Sequence, residues 1–310
     1  MAVAMLAMVL QGQEAESRLS VSARFTLNER IAELGLGAVT PRSMVVEGDA
    51  LTLLAFPKSA WQNGVLVRTD LAGRAVLWAA RLGSDEVSDY AVDKNGRTYV
   101  LSGPIPGPIR LRCYDPYGRE MDIPGPVPSV AAKLVAVDDK LLSVGANGAI
   151  QSLREASPLA TVNIDPELMR NLGVLSLPGG RIAIVDEVEA AIQLIDTTTG
   201  GVSSVSIDHP EALRVKAQYR ASTALMPHIH GVTVQAAAAG PDGSVYCLLS
   251  GFRPQQGAPV IVLDSAGKLS RTLRCPMPNG PSAGVPLSIG VSGGRLFMLD
   301  SAGTVTTFTL

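Results

Sequence analysis

The sequence predicts an all-β chain, a single propeller of six four-stranded antiparallel blades, on three observations. One hairpin pattern recurs six times, a second hairpin pattern recurs between its copies, and the one strand missing at the end of the repeat array is available near its start. Composition admits such a fold. Of 310 residues, 46% are hydrophobic and 17% charged, the balance of a chain that folds around a large core. Val, Leu, Ile and Ala carry most of the apolar content, while 31 Gly and 21 Pro suit many short strands and turns.

The first pattern is a strand, a tight turn with Gly or Asp, and a second apolar strand. Its copies span 45–56, 91–103, 135–146, 175–187, 238–251 and 290–301, with turns near residues 49, 96, 139, 180, 243 and 294. Asn-Gly, Asp-Gly and Gly-Gly pairs suit two-residue hairpins, because such turns hold residues at positive φ. The strand after each turn runs almost wholly apolar, as one buried between two neighbouring sheets does. The second pattern is an apolar strand ending in Asp, a short Gly-containing turn, and another strand. It occurs at 67–78 (closing on Trp78), 112–121, 194–205 and 261–273. Asp before such a turn bonds the backbone two residues on.

Joined, the two patterns make a unit of four strands, a to d, at the repeat length of roughly 40–50 residues typical of propeller blades. The last unit lacks a fourth strand. Arg18–Leu27, which alternates apolar and polar, is the natural supplier, and its pairing with Thr304–Leu310 closes the ring and removes two exposed edges. A β-sandwich accounts for the strands but not for six copies of one hairpin. Residues 18–310 are therefore expected to form one domain.

The tandem units of turn-Gly, apolar strand and Asp-x-x-Gly resemble those of six-bladed propellers of the NHL-repeat and gluconolactonase-like superfamily, from about residue 40 onward. Gluconolactonase-type enzymes bind a divalent cation at the tunnel mouth. That resemblance implies, as an alternative function, a metal-assisted lactonase-like hydrolase. The motif fit is poor, however. Glu47-Gly48 matches the start of the family's first motif, but Asp49 and Leu51 stand where Pro and Trp belong. No metal ligand carries over, and Asp70–Gly73 through Trp78 resembles a single quinoprotein-type repeat. No GxSxG, P-loop, GxGxxG or HExxH is present.

In a four-stranded blade the a–b and c–d turns share one rim, and the b–c and d–a connections share the other. The first set is tight. Length accumulates in the second, at Pro57–Asn63, Pro104–Pro108, Asp208–His230, Phe252–Gly257 and Pro276–Pro286. Binding residues concentrate on long loops over a rigid scaffold. The expected function is accordingly an exported, non-enzymatic binding or protein-interaction propeller that uses this face, holding a protein or small-molecule ligand. Lys58, Trp61, Tyr219, Arg220, Arg253 and Gln255 are its candidate contacts, as aromatic anchors and charge-assisted donors.

No cofactor is predicted. His228 and His230, at i and i+2 of an extended segment, are the candidate zinc ligands, with Asp208, His209 or Glu211 as a third. Asp165-Pro166-Glu167 and His209-Pro210-Glu211 read as starts of short helices between blades. Cys113, Cys247 and Cys275 are expected to be buried thiols, because Cys247 and Cys275 fall two strands apart, beyond disulfide reach. With 26 basic and 28 acidic residues and no run of either sign, nucleic acid is not an expected partner. Met1–Leu10 is almost wholly apolar, too short to span a bilayer, and is followed by polar Gln11–Glu14. Residues 1–12 therefore read as the remnant of a signal peptide and place the protein outside the cytoplasm, periplasmic or secreted, with the cytoplasm as the alternative. A monomer without a transmembrane span is expected.

Overall fold

A computed structural model describes residues 16–27, 30–31, 34–36, 39–58, 63–103, 109–123, 131–153, 157–164, 169, 172–225, 231–251, 254–277 and 284–310. Two strands open it, β1 (Glu16–Arg18) and β2 (Ser20–Thr26). Blade 1 follows as β3 (Val39–Glu47), β4 (Ala50–Pro57), β5 (Val65–Asp70) and β6 (Val76–Arg81). Blade 2 is β7 (Glu86–Val92), β8 (Thr98–Gly103), β9 (Arg110–Tyr114) and β10 (Glu120–Met121). Blade 3 is β11 (Ala131–Val137), β12 (Lys140–Gly145), β13 (Ala149–Ser152) and β14 (Ala160–Thr161). Blade 4 is β15 (Leu172–Leu177), β16 (Arg181–Asp186), β17 (Ala191–Asp196) and β18 (Val202–Ser206). A helix, α1 (Pro210–Leu225), leads to blade 5, which is β19 (Val234–Ala239), β20 (Val245–Leu249), β21 (Ala258–Leu263) and β22 (Leu269–Cys275). Blade 6 is β23 (Pro286–Ser292), β24 (Arg295–Asp300) and β25 (Thr304–Thr309).

The ring closes as the sequence predicts. Strand β2 pairs antiparallel with β25, Ser20 opposite Thr309 and Thr26 opposite Thr304, and is the outer strand of blade 6. One detail differs. Arg18–Leu27 is not a single strand but is broken at Leu19, whose side chain is buried between blades and whose N–H donates to the Arg274 carbonyl. The residues before the break form β1, which adds a fifth, parallel strand to the outer edge of blade 5. Burial of one leucine has divided the segment between two sheets.

The core lies between blades, and its pattern follows from strand periodicity. Along β4, Leu51, Leu53 and Ala55 pack toward Phe297 and Leu299 of blade 6, while Leu54 and Phe56 pack toward Val87 and Tyr90 of blade 2. Alternate side chains of one strand thus serve two interfaces, so second strands read as unbroken apolar runs. The Asp turns act as expected. Oδ1 of Asp115 accepts from the N–H groups of Tyr117 (2.9 Å) and Arg119 (2.8 Å), and Oδ1 of Asp264 from those of Ala266 (2.9 Å) and Lys268 (2.8 Å). Gly118, at φ 81°, completes the first of these turns under Trp78, where a Cβ would lie 2.8 Å from the ring. All three cysteines are free and buried, Cys247 on β20 and Cys275 on β22. No helix among the described residues is long and apolar enough to cross a membrane.

The innermost strands β3, β7, β11, β15, β19 and β23 line a central tunnel. Five of them carry a β-bulge near the end where the long connections enter, between Pro41/Ser43, Val87/Asp89, Ala131/Lys133, Val234/Ala236 and Pro286/Ser288. Only β15 pairs with its neighbour without a shift. A bulge turns the strand and re-aims the side chains beside it. Blade-to-blade bonds start there. Ser288 Oγ lies 3.2 Å from both the amide N and the carbonyl O of Met44, and Asp89 Oδ2 accepts the Leu134 N–H at 2.7 Å.

Candidate binding face and tunnel

Helix α1 is the largest ordered feature of the long-connection face. Pro210 fills its first turn, where a missing N–H costs nothing, and Glu211 complements the positive end of the helix dipole. His209 caps it: Nδ1 accepts from the Glu211 N–H at 3.2 Å, so in the neutral ring Nε2 carries the proton and faces Thr272 Oγ1 at 3.1 Å. Ala212 and Val215 are buried beneath the helix, Ala212 within the core shared by blades 4 and 5. Polar bonds fix the rest. Arg214 reaches the Gly251 carbonyl at 3.3 Å, and Lys216 and Arg220 pair with the Glu189 carboxylate at 2.7 and 2.8 Å. The Lys216 hydrogen bond and the two nearby cations hold the Glu189 carboxyl below its ordinary range. At the helix start, Arg274 of β22 is bound by Glu211 and by Glu16 of β1, tying three elements together.

The expected helix start at His209-Pro210-Glu211 is therefore real, and the helix it opens is 16 residues long. Asp165–Glu167 lies outside the described residues. Tyr219 and Arg220, expected on a loop, are helical. Arg220 is exposed with its head group on Glu189, and the Tyr219 ring packs on the backbone of Gly231, where a Cβ would sit 1.9 Å from it. Lys58 is exposed just past β4, and Gln255 is exposed on a short 3-10 turn, Pro254–Gln256, between β20 and β21. Trp61, Arg253, His228 and His230 lie outside the described residues. Of the suggested third zinc ligands, Glu211 is engaged by Arg274, His209 faces Thr272, and Asp208 is exposed just before the helix. Among the described residues no three ligating side chains converge.

Sequence reading put its alternative hydrolase site at the tunnel mouth but assigned no residue to it. A cavity of about 560 Å³ fills its a–b half, walled by Val46, Val92, Val135, Val174, Ala238 and Val291 and rimmed by Glu47, Lys94 and Asp138. The opposite mouth, on the long-connection face, carries charge. Arg42 stands at the blade 1 bulge, its Nη1 3.4 Å from the Val87 carbonyl and its guanidinium 5.7 Å from the Phe56 ring. Asp89 and Lys133 are the residues that follow the corresponding bulges of blades 2 and 3, the place that Ser43 holds in blade 1. Glu187, just past β16, lays Oε1 3.7 Å from where a Cβ on Gly173 would be, toward Ala237. Burial pushes the Glu187 carboxyl up to about 7 against the pull of Lys133, and burial likewise raises that of Asp89. The signal was present: Asp89 and Lys133 each interrupt a strand whose following residues are apolar or aromatic, just upstream of the repeat unit as the turns define it.

No family model matches the chain, and no curated protein matches it. Solved structures do. A catalytically inactive virginiamycin B lyase from Staphylococcus aureus with quinupristin superposes with a TM-score of 0.51 at 12% identity, covering 94% of this chain and 99% of that one. The WD40 repeats of RRP9 give 0.53 at 10% identity over 94% and 81%. U3-55K gives 0.52 at 10% identity over 87% and 77%. At such identities the likeness is one of fold, and it agrees with the propeller built above.

Proposed function

We propose that this six-bladed propeller is an exported, non-enzymatic interaction module, related in kind to the NHL-repeat and gluconolactonase-like propellers, that holds a protein partner on its long-connection face. The observation that carries the reading is the contrast between the two rims. One is made mostly of tight hairpin turns, the connection from Ser152 to Ala160 in blade 3 being its long member. The other presents helix α1, anchored by Ala212, Lys216 and Arg274, with Leu213 exposed on it and Val285 exposed in the next connection. A rigid, partly apolar platform among polar neighbours suits a protein surface. Export rests on the apolar Met1–Leu10 stretch.

The test is capture of partners from an extracytoplasmic extract of the source organism. Leu213→Asp combined with Lys58→Glu is expected to abolish capture while leaving the melting temperature within about 2 °C, as surface changes do. Tyr117→Ala, on the opposite rim where the ring is 78% exposed, is expected to capture as wild type does. Retained capture in the first variant, or loss only in the second, rejects the face.

A further inference from the structure

The long-connection mouth of the tunnel holds charges that face one another without meeting. Going round the ring, the residue that follows the bulge is Ser43 on blade 1, Asp89 on blade 2 and Lys133 on blade 3; on blade 4, which has no bulge, Glu187 brings its carboxylate beside Gly173, and Arg42 stands at the blade 1 bulge itself, one residue before Ser43. Blades 5 and 6 contribute Ala236 and Ser288, the latter occupied by the Met44 backbone. Two of the four charges have local duties, Arg42 with the Val87 carbonyl and Asp89 with the Leu134 N–H. Lys133 and the Glu187 carboxylate have none: among the described residues neither makes a hydrogen bond, nor an ion pair within 4.0 Å. The Lys133 charge nevertheless acts on both Asp89 and Glu187.

From this geometry we propose that the mouth is a binding site for a small zwitterion, with Lys133 receiving the ligand's carboxylate and Glu187, seconded by Asp89, receiving its ammonium. A half-buried ammonium and carboxylate held apart are each under-solvated, so a ligand that brings one complementary charge to each gains two charge-assisted hydrogen bonds. A bare cation meets Lys133 between its two would-be carboxylates, and a bare anion meets Asp89 and Glu187. Only a molecule carrying both charges is attracted at both ends. On the blade 5 side Ala237, near Glu187 at the Gly173 position, presents only a methyl group. The site lies on the same face as helix α1, but none of its charges is needed for the protein-binding reading, and it stands whether or not that reading holds.

The experiment is calorimetric titration of the intact protein with glycine, 4-aminobutyrate and 6-aminohexanoate, zwitterions of increasing charge separation. N-acetylglycine and glycinamide are the singly charged controls. Concentrations up to about 20 mM reach millimolar sites. At least one zwitterion is expected to bind, both controls at least about tenfold more weakly, and Lys133→Met and Glu187→Gln each to weaken the zwitterion about tenfold or more. Absence of binding by all three zwitterions, controls that bind equally well, or affinity unchanged in both variants overturns the site. The wild-type comparison of zwitterions with controls keeps the test decisive should either variant fail to fold.

Discussion

At the scale of single residues, Glu187 is where burial and charge disagree. The carboxyl ionises near 4.5 in an unfolded chain and at about 7 in the fold, where Lys133 lowers it less than burial raises it, with Asp186 adding to the rise and buried Cys247 beside it. Between those values the folded protein holds a proton that the unfolded chain has lost. The stabilisation is therefore full below about pH 4.5, falls as pH rises, and has been lost beyond about pH 7. Glu187→Gln removes this slope. Urea unfolding at about pH 5 and pH 8 is expected to show the wild type losing about 1–2 kcal/mol more than the variant over that interval. An equal loss in both places the charged carboxylate in water. Such a residue is hard to find in a sequence, because one Glu after a strand end reads as an ordinary turn residue. Its effect depends on Gly173 and Ala237, which are remote along the chain and have no side chain, or a minimal one, to announce the space. The turn aspartates are the reverse case: Asp70, Asp115, Asp196 and Asp264 all bond their own downstream backbone, so local spacing identified them.

At the scale of elements, hairpins were legible and docking was not. Gly-containing turns fix both strands of a pair within a dozen residues, so each blade could be drawn from its own segment. The break at Leu19, by contrast, depends on where blade 5 ends in space. Arg274 is the residue that commits β1 and α1 to that blade, from a position where its side chain is only 16% exposed. Arg274→Met should strand Glu16 and Glu211, lower stability by about 1–3 kcal/mol, and speed amide exchange at Leu19 and in the first turn of α1. Exchange in β24, one blade away, is expected to keep its wild-type protection. Uniform acceleration across the protein instead makes Arg274 a general core residue and not a clasp.

At the scale of the whole molecule, the interfaces between blades are unequal. Among the described residues the seam between blades 5 and 6 buries Leu248, Val260, Leu273, Ile289, Leu296, Met298 and Phe308 in one cluster. The seam between blades 2 and 3 buries only Ala91, Leu101 and Leu134, and a cavity of about 260 Å³ opens beside it between Tyr99 and Leu141. A seam with less apolar area opens at lower free energy. Native-state hydrogen exchange is therefore expected to find the pairs of β8 and β11 exchanging by a lower-energy opening than those of β20 and β24. The same free energy at all four strands means that the ring opens only as a unit. None of this inequality shows in the repeats, which look alike because pattern reports which side chains are inward and not how large the facing partners are.

The pairing of Ser20 with Thr309 joins points separated by almost the full length of the domain. During synthesis, five blades are able to assemble as they leave the ribosome, but β2 has no strand to join until β25 has been made. Until then the hydrogen-bonding edge of β2 and the apolar face of blade 1 around Leu51 and Leu53 wait uncovered, and the last event in biogenesis is a ring shutting on its own beginning.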